Sequence, residues 1–244
     1  MRHQTQSREQ STVSKTDKLV SLFADDFITH DFFSKGRAKD FKCPLLDKCA
    51  VNKAEEPIWS PALGDESTTL MIVGEAPSRR KKVGAGPHIG GQFKDWTEGV
   101  ALQSLLRFAK THFNTVPHFT DVMKCGVASQ TRAHKKAVFE TRTRHCSQRF
   151  LFREIEIIDP ETILCLGRTS FDTLKKAQQN GSVKPSIKLV NLIHYGKQAG
   201  LPLTAEDKET ILWPLQLGKI SVNAITDLSA VKKIIRNNKP SNDT

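Results

Sequence analysis

The sequence lacks the features that mark membrane and secreted proteins. No run of apolar residues approaches the roughly 18 that a membrane-spanning helix requires. The polar start, residues 1–10, has no apolar stretch of the kind that a secretory signal contains. The five cysteines are too few and too scattered for a disulfide framework, and their odd number leaves one over. We therefore expect a soluble cytoplasmic protein that binds no membrane and whose cysteines are thiols or metal ligands.

Acidic residues are also scarce relative to basic ones. The chain has 26 Asp and Glu against 37 Lys and Arg, which gives a formal net charge of +11. Such an excess favours a polyanionic partner, although charge alone does not identify the polyanion. Aromatic residues make up only 7% of the chain, but 38% hydrophobic residues over 244 positions are enough for one sizeable core.

The hydrophobic pattern predicts a single domain between two polar ends. Residues 1–15 are rich in Gln, Ser, Thr and charged residues, and residues 236–244 are polar, so we expect both ends to be disordered. Residues 16–235 are predicted to form one domain. It starts with a helix over residues 16–33, which leads into a loop that carries two cysteines.

Strand and helix patterns alternate along the rest of the domain. Short apolar runs predict strands over residues 68–73, 118–123, 162–166 and 188–193. Helical spacing predicts helices over residues 95–112, 148–158, 168–179 and 227–235. This alternation predicts a three-layer α/β/α fold with a central, mostly parallel four-stranded sheet. Because ligands of such sheets bind at the carboxyl ends of the strands, the residues that follow each strand are the candidates for chemistry.

Three of the predicted strands end near residues of the types that carry out acid–base chemistry in proteins. Glu75 follows the first strand within a segment that has five glycines in 18 residues, where the backbone can approach a ligand closely. Asp121 lies in the second strand and His194 follows the fourth. Taken singly, each fits an ordinary loop, a strand-end cap or a structural histidine. Only their joint placement at one edge of the sheet favours a functional site.

The cysteines divide into one core residue and four candidate ligands. Cys165 lies within the apolar run of the third strand and is predicted to be buried. The other four cysteines are suited to a 4Fe–4S cluster or a zinc ion, and the alternative is four unrelated thiols: Cys43, Cys49, Cys125 and Cys146. The five residues between the first two are not a usual zinc spacing.

An ordered set of motifs resembles the uracil-DNA glycosylase superfamily, and most closely its iron–sulfur family 4. The motifs extend from about Cys43 to Gly196. They are GEAPS at 74–78, GAGPHIGG at 84–91, FTDVMKC at 119–125, CSQRFLFREIEIIDPETILCLGRTS at 146–170 and the strand that ends at His194. As a set in the family's order, they are far more specific than any one of them.

The resemblance implies a role for each matching residue. Glu75 lies in the water-positioning motif, with Gly74 and Ala76 beside the base. His88 faces the extruded base, Asp121 reads the edge of that base, and His194 stabilises the base as it departs. The cysteine set Cys43, Cys49, Cys125 and Cys146 holds a structural 4Fe–4S cluster, although the first pair is spaced more widely here than in the family.

Basic residues near the motifs are expected to contact DNA. One set lies after the first strand, and with Tyr195 it is predicted to bind the DNA backbone: Arg79, Arg80, Lys81 and Lys82. A second set surrounds Cys146 and is predicted to add phosphate contacts, or to form a solvated basic face: Arg132, Lys135, Lys136, Arg142, Arg144, Arg149 and Arg153.

The departures from the family pattern concern the base. The family reads uracil with Asn, where this chain has Asp121. An ionised carboxylate only accepts hydrogen bonds, so it suits the amino group of a cytosine better than the O4 oxygen of uracil. The family's Phe is His88 here, and its H-P-S is His194-Tyr195-Gly196, which changes the pocket wall. Because excision of plain cytosine would damage the host genome, a hydroxymethylated or glucosylated cytosine of phage DNA is the favoured substrate.

The sequence therefore predicts a monomeric, monofunctional DNA glycosylase that flips out a modified pyrimidine and leaves an abasic site, as an antiphage defence. No lysine nucleophile is required, which favours a hydrolase over a strand-cleaving lyase. One alternative is a uracil-DNA glycosylase of base excision repair, which requires Asp121 to be protonated or displaced. A second is a non-catalytic iron–sulfur DNA-binding module.

Overall fold

The computed structural model of the chain describes residues 13–24, 62–76, 100–124, 136–194 and 203–219. Within these ranges there are four strands: β1 (Leu70–Gly74), β2 (His118–Asp121), β3 (Thr162–Leu166) and β4 (Lys188–Leu192). The helices are α1 (Lys15–Ala24), α2 (Val100–Phe113), α3 (Lys136–Cys146), α4 (Phe152–Ile158), α5 (Arg168–Gln179), α6 (Ala205–Asp207) and α7 (Trp213–Gln216). A π-helical turn at Ser147–Leu151 joins α3 to α4, and another at Lys208–Leu212 joins α6 to α7.

The four strands form one sheet in the order β2-β1-β3-β4, and every pair in it is parallel. All residues of β1 are buried, as are four of the five residues of β3. Central strands of a parallel sheet are apolar throughout because helices cover both of their faces. The predicted α/β fold with a parallel four-stranded sheet is therefore confirmed.

Successive residues of β1 point into two different cores. Leu70 and Ile72 pack with α2 and with Trp213 on one face of the sheet. Met71 and Val73 pack on the other face with α4 and α5. This alternation follows from the two-residue repeat of a strand, and it places a layer of helices on each side of the sheet.

The first helix packs at the end of the sheet opposite to the strands' carboxyl ends. Lys15 Nζ, at the start of α1, donates hydrogen bonds to the carbonyl oxygens of Thr68 and Ile158, at 3.2 and 2.8 Å. Thr68 directly precedes β1, and Ile158 ends α4, before β3. Leu19 is buried against Leu63 and Ile158. This helix therefore supports the amino-terminal ends of the strands.

The predicted elements agree closely with the observed ones in the middle of the chain. β3 and α5 begin and end at the predicted residues. β1 begins two residues later than predicted because Thr68 belongs to a turn, in which its N–H bonds to the carbonyl oxygen of Asp65 at 2.9 Å. β2 ends at Asp121, where the chain bends, and β4 ends at Leu192.

Two helical segments were not predicted from the sequence. α3 is rich in basic and polar residues, so it has no clear apolar repeat, and only the stretch that starts at residue 148 was expected to be helical. The segment formed by α6, the π-helical turn and α7 was missed altogether. The predicted helix over residues 227–235 and the second half of the one over 16–33 lie outside the described residues, and the single domain over 16–235 stays a prediction.

Cys165 is fully buried in β3, as expected, and burial raises the pKa of its thiol. Its Sγ and the backbone around it belong to the core between the sheet and helices α4 and α5. In the parts of the chain that the structure describes, no helix is long and apolar enough to cross a membrane.

Candidate active site

The carboxyl ends of β1 and β2 are joined by backbone hydrogen bonds. The N–H of Val122 donates to the carbonyl oxygen of Gly74 at 2.9 Å, and the N–H of Met123 donates to that of Glu75 at 3.0 Å. Within the sheet, Gly74 pairs with Asp121. The structure therefore brings together Glu75 and Asp121, two of the residues that the sequence singled out, at one edge of the sheet.

Gly74 leaves room for the Asp121 side chain. A Cβ atom added at Gly74 would lie 2.2 Å from Asp121 Oδ1, which is far inside van der Waals contact. Asp121 is 4% exposed, so its carboxylate lies against the backbone of β1 rather than in bulk solvent. Glycine is needed at position 74 because the carboxylate approaches the backbone closely there, so the glycine before Glu75 has a steric reason of its own.

Glu75 is held from a third element. Thr169 Oγ1 donates a hydrogen bond of 2.6 Å to Glu75 Oε2. Thr169 is the second residue of α5, which follows β3 after a turn at Gly167 with φ of 90°. A positive φ of this size favours glycine, which allows the chain to enter α5 directly from β3. The sequence marked the residues after β3 as candidates but selected none of them, and Thr169 was missed.

His194 lies at the same edge, two strands away from Glu75. It is half-buried and follows β4 by two residues. Adjacent strands are about 4.8 Å apart, so β1 and β4 are separated by roughly 10 Å, with β3 between them. All three candidate catalytic residues that the resemblance implied, Glu75, Asp121 and His194, therefore lie at the carboxyl edge of one sheet.

The chain just before His194 is fixed by α7. Gln216 Oε1 accepts a hydrogen bond of 3.0 Å from the N–H of Ile193, and Trp213 Nε1 donates one of 3.0 Å to the carbonyl oxygen of the same residue. Trp213 is fully buried and packs against Phe108 of α2, with ring centroids 5.3 Å apart. Side chains of α7 thus form hydrogen bonds with both the N–H and the carbonyl oxygen of Ile193. The sequence analysis had assigned no role to these residues.

A buried polar cluster lies beneath β2. Lys124 Nζ is 2.8 Å from Glu154 Oε1 and donates hydrogen bonds to Thr120 Oγ1 at 2.6 Å and to the carbonyl oxygen of Asp121 at 2.7 Å. The side chains of Lys124 and Glu154 are 1% and 0% exposed. A buried charge is stable only when it is paired and hydrogen-bonded, so this cluster fixes the position of α4 relative to the backbone at Asp121.

His118 completes the buried cluster as a neutral side chain. Its Nε2 lies 4.0 Å from Glu154 Oε2, and in the described part of the chain neither ring nitrogen has a hydrogen-bond partner. Burial, and next the positive charge of Lys124, lowers the pKa of His118 from 6.5 to about 3. Both effects disfavour the imidazolium ion, so the ring is uncharged at neutral pH.

Cys146 is the one candidate cluster ligand that the structure describes. It ends α3, is 4% exposed, and accepts a hydrogen bond from the backbone of Lys124. Burial raises the pKa of its thiol, while that hydrogen bond and the charges of Lys124 and Arg142 oppose the rise. In the sequence, Cys125 directly follows Lys124, and it lies outside the described residues.

The other candidate ligands and several site residues lie outside the described residues. These are Cys43, Cys49, Cys125, His88, Tyr195, Arg79, Arg80, Lys81 and Lys82. Among the residues that are described, no group of three or more His, Cys, Asp or Glu side chains is arranged to hold a metal ion. Ala76, which is described, is half-buried and packs against the core beside α4 and α5.

The second set of basic residues is only partly suited to DNA. Arg144, Arg149 and Arg153 are exposed on the helical stretch from α3 to α4, as phosphate contacts require. Arg142 is 2% exposed and lies among the buried groups near Cys146. Its predicted phosphate contact is wrong, because counting charges along a chain does not tell which cations the fold buries.

His118 should make the stability of the protein depend on pH. The pKa of His118 is about 3 in the folded protein and 6.5 in the unfolded chain. Between these pH values, the unfolded chain binds a proton at His118 that the folded protein does not bind. The contribution is fully present above about pH 6.5 and is lost as the pH falls, by about 1.4 kcal/mol for each pH unit down to about pH 3. Denaturant unfolding from about pH 7.5 to about pH 4.5 measures this slope.

The matched variant is His118→Gln, which has no titrating group at this position. The free energy of unfolding of the wild type should fall more steeply with acid than that of the variant, since Lys124 and Glu154 remain in both. Parallel slopes for the two proteins would show that His118 is not kept neutral by the fold.

Comparisons with known proteins identify the family to which the chain belongs. The family model described as Uracil DNA glycosylase superfamily matches residues 61–216, a stretch that includes all four strands and α7. The type-4 uracil-DNA glycosylase of Archaeoglobus fulgidus is 30% identical to the chain over 121 residues, which is 50% of this chain and 54% of that relative. The chain thus matches about half the length of this relative. Since the family match covers more than half of the chain and confirms the resemblance seen in the motifs, this protein belongs to the uracil-DNA glycosylase superfamily.

Proposed function

We propose that this protein is a monofunctional DNA glycosylase that extrudes a pyrimidine from DNA and hydrolyses its N-glycosidic bond. The observation that carries the proposal is the placement of Glu75, Asp121 and His194 at one sheet edge, with the Asp121 carboxylate packed over Gly74. Membership of the superfamily supports DNA as the substrate, and the name of the type-4 relative supports a pyrimidine base. A base within a duplex is inaccessible, so such an enzyme must first flip it out.

The chemistry requires two kinds of electrostatic help. Breaking the glycosidic bond makes the sugar oxocarbenium-like and transfers negative charge to the departing base. A hydrogen-bond donor such as His194, aimed at that charge, stabilises the transition state more than the ground state. Glu75, whose carboxylate is bound by Thr169, is suited to orient the attacking water and to offset positive charge on the sugar. The product is DNA with an abasic site.

Asp121 is the residue that we propose selects the base. Its carboxylate is almost fully buried, so a mismatched hydrogen bond there is not relieved by water. An ionised carboxylate facing O4 of uracil has no donor to offer, and the mismatch costs about 1–3 kcal/mol. The amino group of a cytosine can instead donate a hydrogen bond to an oxygen of the Asp121 carboxylate. The contact with N3 of the base then requires one proton, which is held either by Asp121 or by N3.

A modified cytosine is the substrate that fits this selection without harm to the host. Plain cytosine fills normal genomes, whereas hydroxymethylated or glucosylated cytosine marks the DNA of some phages. An enzyme that excises such bases would leave abasic sites in invading DNA and act in the cytoplasm as an antiphage defence. His88, which replaces the stacking ring of the family, is the residue that we expect to widen the pocket.

Two other functions have specific observations in their favour. The 30% identity to a type-4 uracil-DNA glycosylase favours uracil excision in base excision repair, for which Asp121 must be protonated or displaced. A non-catalytic iron–sulfur DNA-binding module is favoured by the absence of the family's Asn and of its H-P-S motif. Base release separates this module from both enzymes.

We also propose that the four cysteines Cys43, Cys49, Cys125 and Cys146 hold a 4Fe–4S cluster. Cys146 fits this role because its thiol is buried and accepts a backbone hydrogen bond from Lys124, the residue before Cys125. Backbone N–H donors to sulfur and a low exposure to solvent are the usual surroundings of cluster thiolates. The cluster would bind the loop at Cys43 and Cys49 to the domain and has no part in the hydrolysis.

Base release from matched oligonucleotides tests the function directly. Single- and double-stranded DNA carrying uracil, cytosine, hydroxymethylcytosine or its glucosylated form is incubated with the protein, and alkali then cleaves at abasic sites. We expect release of the modified cytosines alone, and no release by Glu75→Gln. Release of uracil alone would make the protein a repair enzyme, and DNA binding without release of any base would favour the non-catalytic module.

The substitution Asp121→Asn should change the preferred base. The amide supplies the donor that O4 of uracil requires, so the ratio of uracil to modified-cytosine excision should rise by roughly ten- to a hundredfold. Asp172→Asn, an exposed carboxylate on α5, makes the same chemical change away from the site and should leave the ratio unaltered. An unchanged ratio in Asp121→Asn would remove Asp121 from base selection.

Cluster assembly is tested by colour and iron content after anaerobic purification. The wild type should be brown, with visible charge-transfer absorption and about four iron atoms per chain. Cys146→Ala should lose the iron, whereas Cys165→Ala, which removes a core thiol, should keep it. A colourless wild-type protein that binds zinc, or equal iron in both variants, would contradict the assignment.

A further inference from the structure

Thr169 makes a direct contact with the carboxylate that the proposed reaction uses. Its Oγ1 donates to Glu75 Oε2 at 2.6 Å, across 94 residues of sequence. The two residues follow neighbouring strands, since Val73 of β1 pairs with Cys165 of β3. The contact therefore links the ends of two central strands, both of which are buried and rigidly paired.

The place of Thr169 in its helix explains why its hydroxyl faces Glu75. A threonine inside a helix commonly bonds to the carbonyl oxygen three or four residues earlier in the same helix. Thr169 is the second residue of α5, so the residues at those positions, Cys165 and Leu166, belong to β3. No earlier helical turn competes for the hydroxyl. The branched side chain also restricts its rotation, so the hydroxyl position is well defined.

The first turn of α5 also favours a negative charge nearby. The first four N–H groups of a helix have no partner within it, and the helix dipole adds positive potential at that end. α5 is 12 residues long and begins at Arg168. A carboxylate that accepts a hydrogen bond from the Thr169 hydroxyl therefore lies near the amino-terminal end of α5, where the helix stabilises negative charge.

We propose that Thr169 is the positioning residue for Glu75, a proposal that rests on the proposed glycosylase function. By binding Oε2, Thr169 fixes the plane of the carboxylate and so the direction from which Glu75 can accept a hydrogen bond from the attacking water. A group that orients water must be held to within about 0.5 Å and 10–20° of its working geometry. Thr169 acts through Glu75 and does not itself contact the reacting atoms.

The kinetic test compares three substitutions in single-turnover base release. Thr169→Val removes the hydroxyl at almost constant volume and should lower the rate constant by roughly ten- to a hundredfold, as expected for a hydrogen bond to a charged group. Thr169→Ser keeps the donor and should stay within about threefold of the wild type. Thr173→Val makes the same change one turn further along α5 and should leave the rate unaltered. DNA affinity should be equal in all of them.

A double-substitution cycle shows whether Thr169 acts through Glu75. In a Glu75→Gln background, Thr169→Val should change the remaining rate by less than about threefold, because the group it positions is gone. Equal losses in both backgrounds would overturn the proposal, as would a Thr169→Val variant with the wild-type rate or a Thr169→Ser variant as slow as Thr169→Val.

A spectroscopic test does not depend on activity. With glutamate labelled by ¹³C at the carboxyl carbon, the Glu75 signal is the one that Glu75→Gln removes. This signal should shift in Thr169→Val and stay in place in Thr173→Val, and an unshifted signal in Thr169→Val would overturn the proposal. If the wild type releases no base at all, the glycosylase function fails, and this spectrum still decides whether Thr169 positions the carboxylate.

Discussion

The buried ion pair of Lys124 and Glu154 is the interaction on which the arrangement at the sheet edge depends. Lys124 Nζ also donates a hydrogen bond to the carbonyl oxygen of Asp121. The backbone that carries the proposed base-reading carboxylate is therefore held by the buried ion pair. The backbone of the same lysine hydrogen-bonds to Cys146. Removing one partner of such a pair leaves an uncompensated buried charge, at a cost of about 3–5 kcal/mol. The ion pair thus maintains the backbone at Asp121, the proposed base-reading residue, and the contact with Cys146, a proposed cluster ligand.

The candidate catalytic residues are held in place by groups that take no part in bond breaking. Backbone hydrogen bonds from Val122 and Met123 join the ends of β1 and β2, and the Thr169 hydroxyl binds the carboxylate of Glu75. Such a framework is built before the substrate arrives. Electrostatic catalysis benefits from this because donors and charges need no reorganisation during the reaction.

Sequence reasoning predicted the sheet and the strand-end residues but not the contacts that support them. The strands were recognisable because buried parallel strands are apolar along their whole length, and Glu75, Asp121 and His194 followed from the rule that parallel strands share a carboxyl edge. A hydrogen bond between residues 94 positions apart leaves no periodic trace in a sequence. The helical segment before α7 did have a local signal, since Thr204 and Asp207 form a capping box.

The hydrogen bonds that Trp213 and Gln216 form with the backbone of Ile193 affect how sequences of this family can vary. Trp213 donates to the carbonyl oxygen of Ile193 and Gln216 accepts from its N–H, so both bonds are to its backbone and neither is to its side chain. Any residue except proline supplies both groups, so these hydrogen bonds by themselves exclude only proline at position 193, where burial separately requires an apolar side chain. The position of the backbone before His194 depends instead on Trp213 and Gln216, which lie 20 and 23 positions after Ile193. In related chains, changes at those two positions would accompany loss of the histidine, while position 193 varies among the apolar residues that its burial allows.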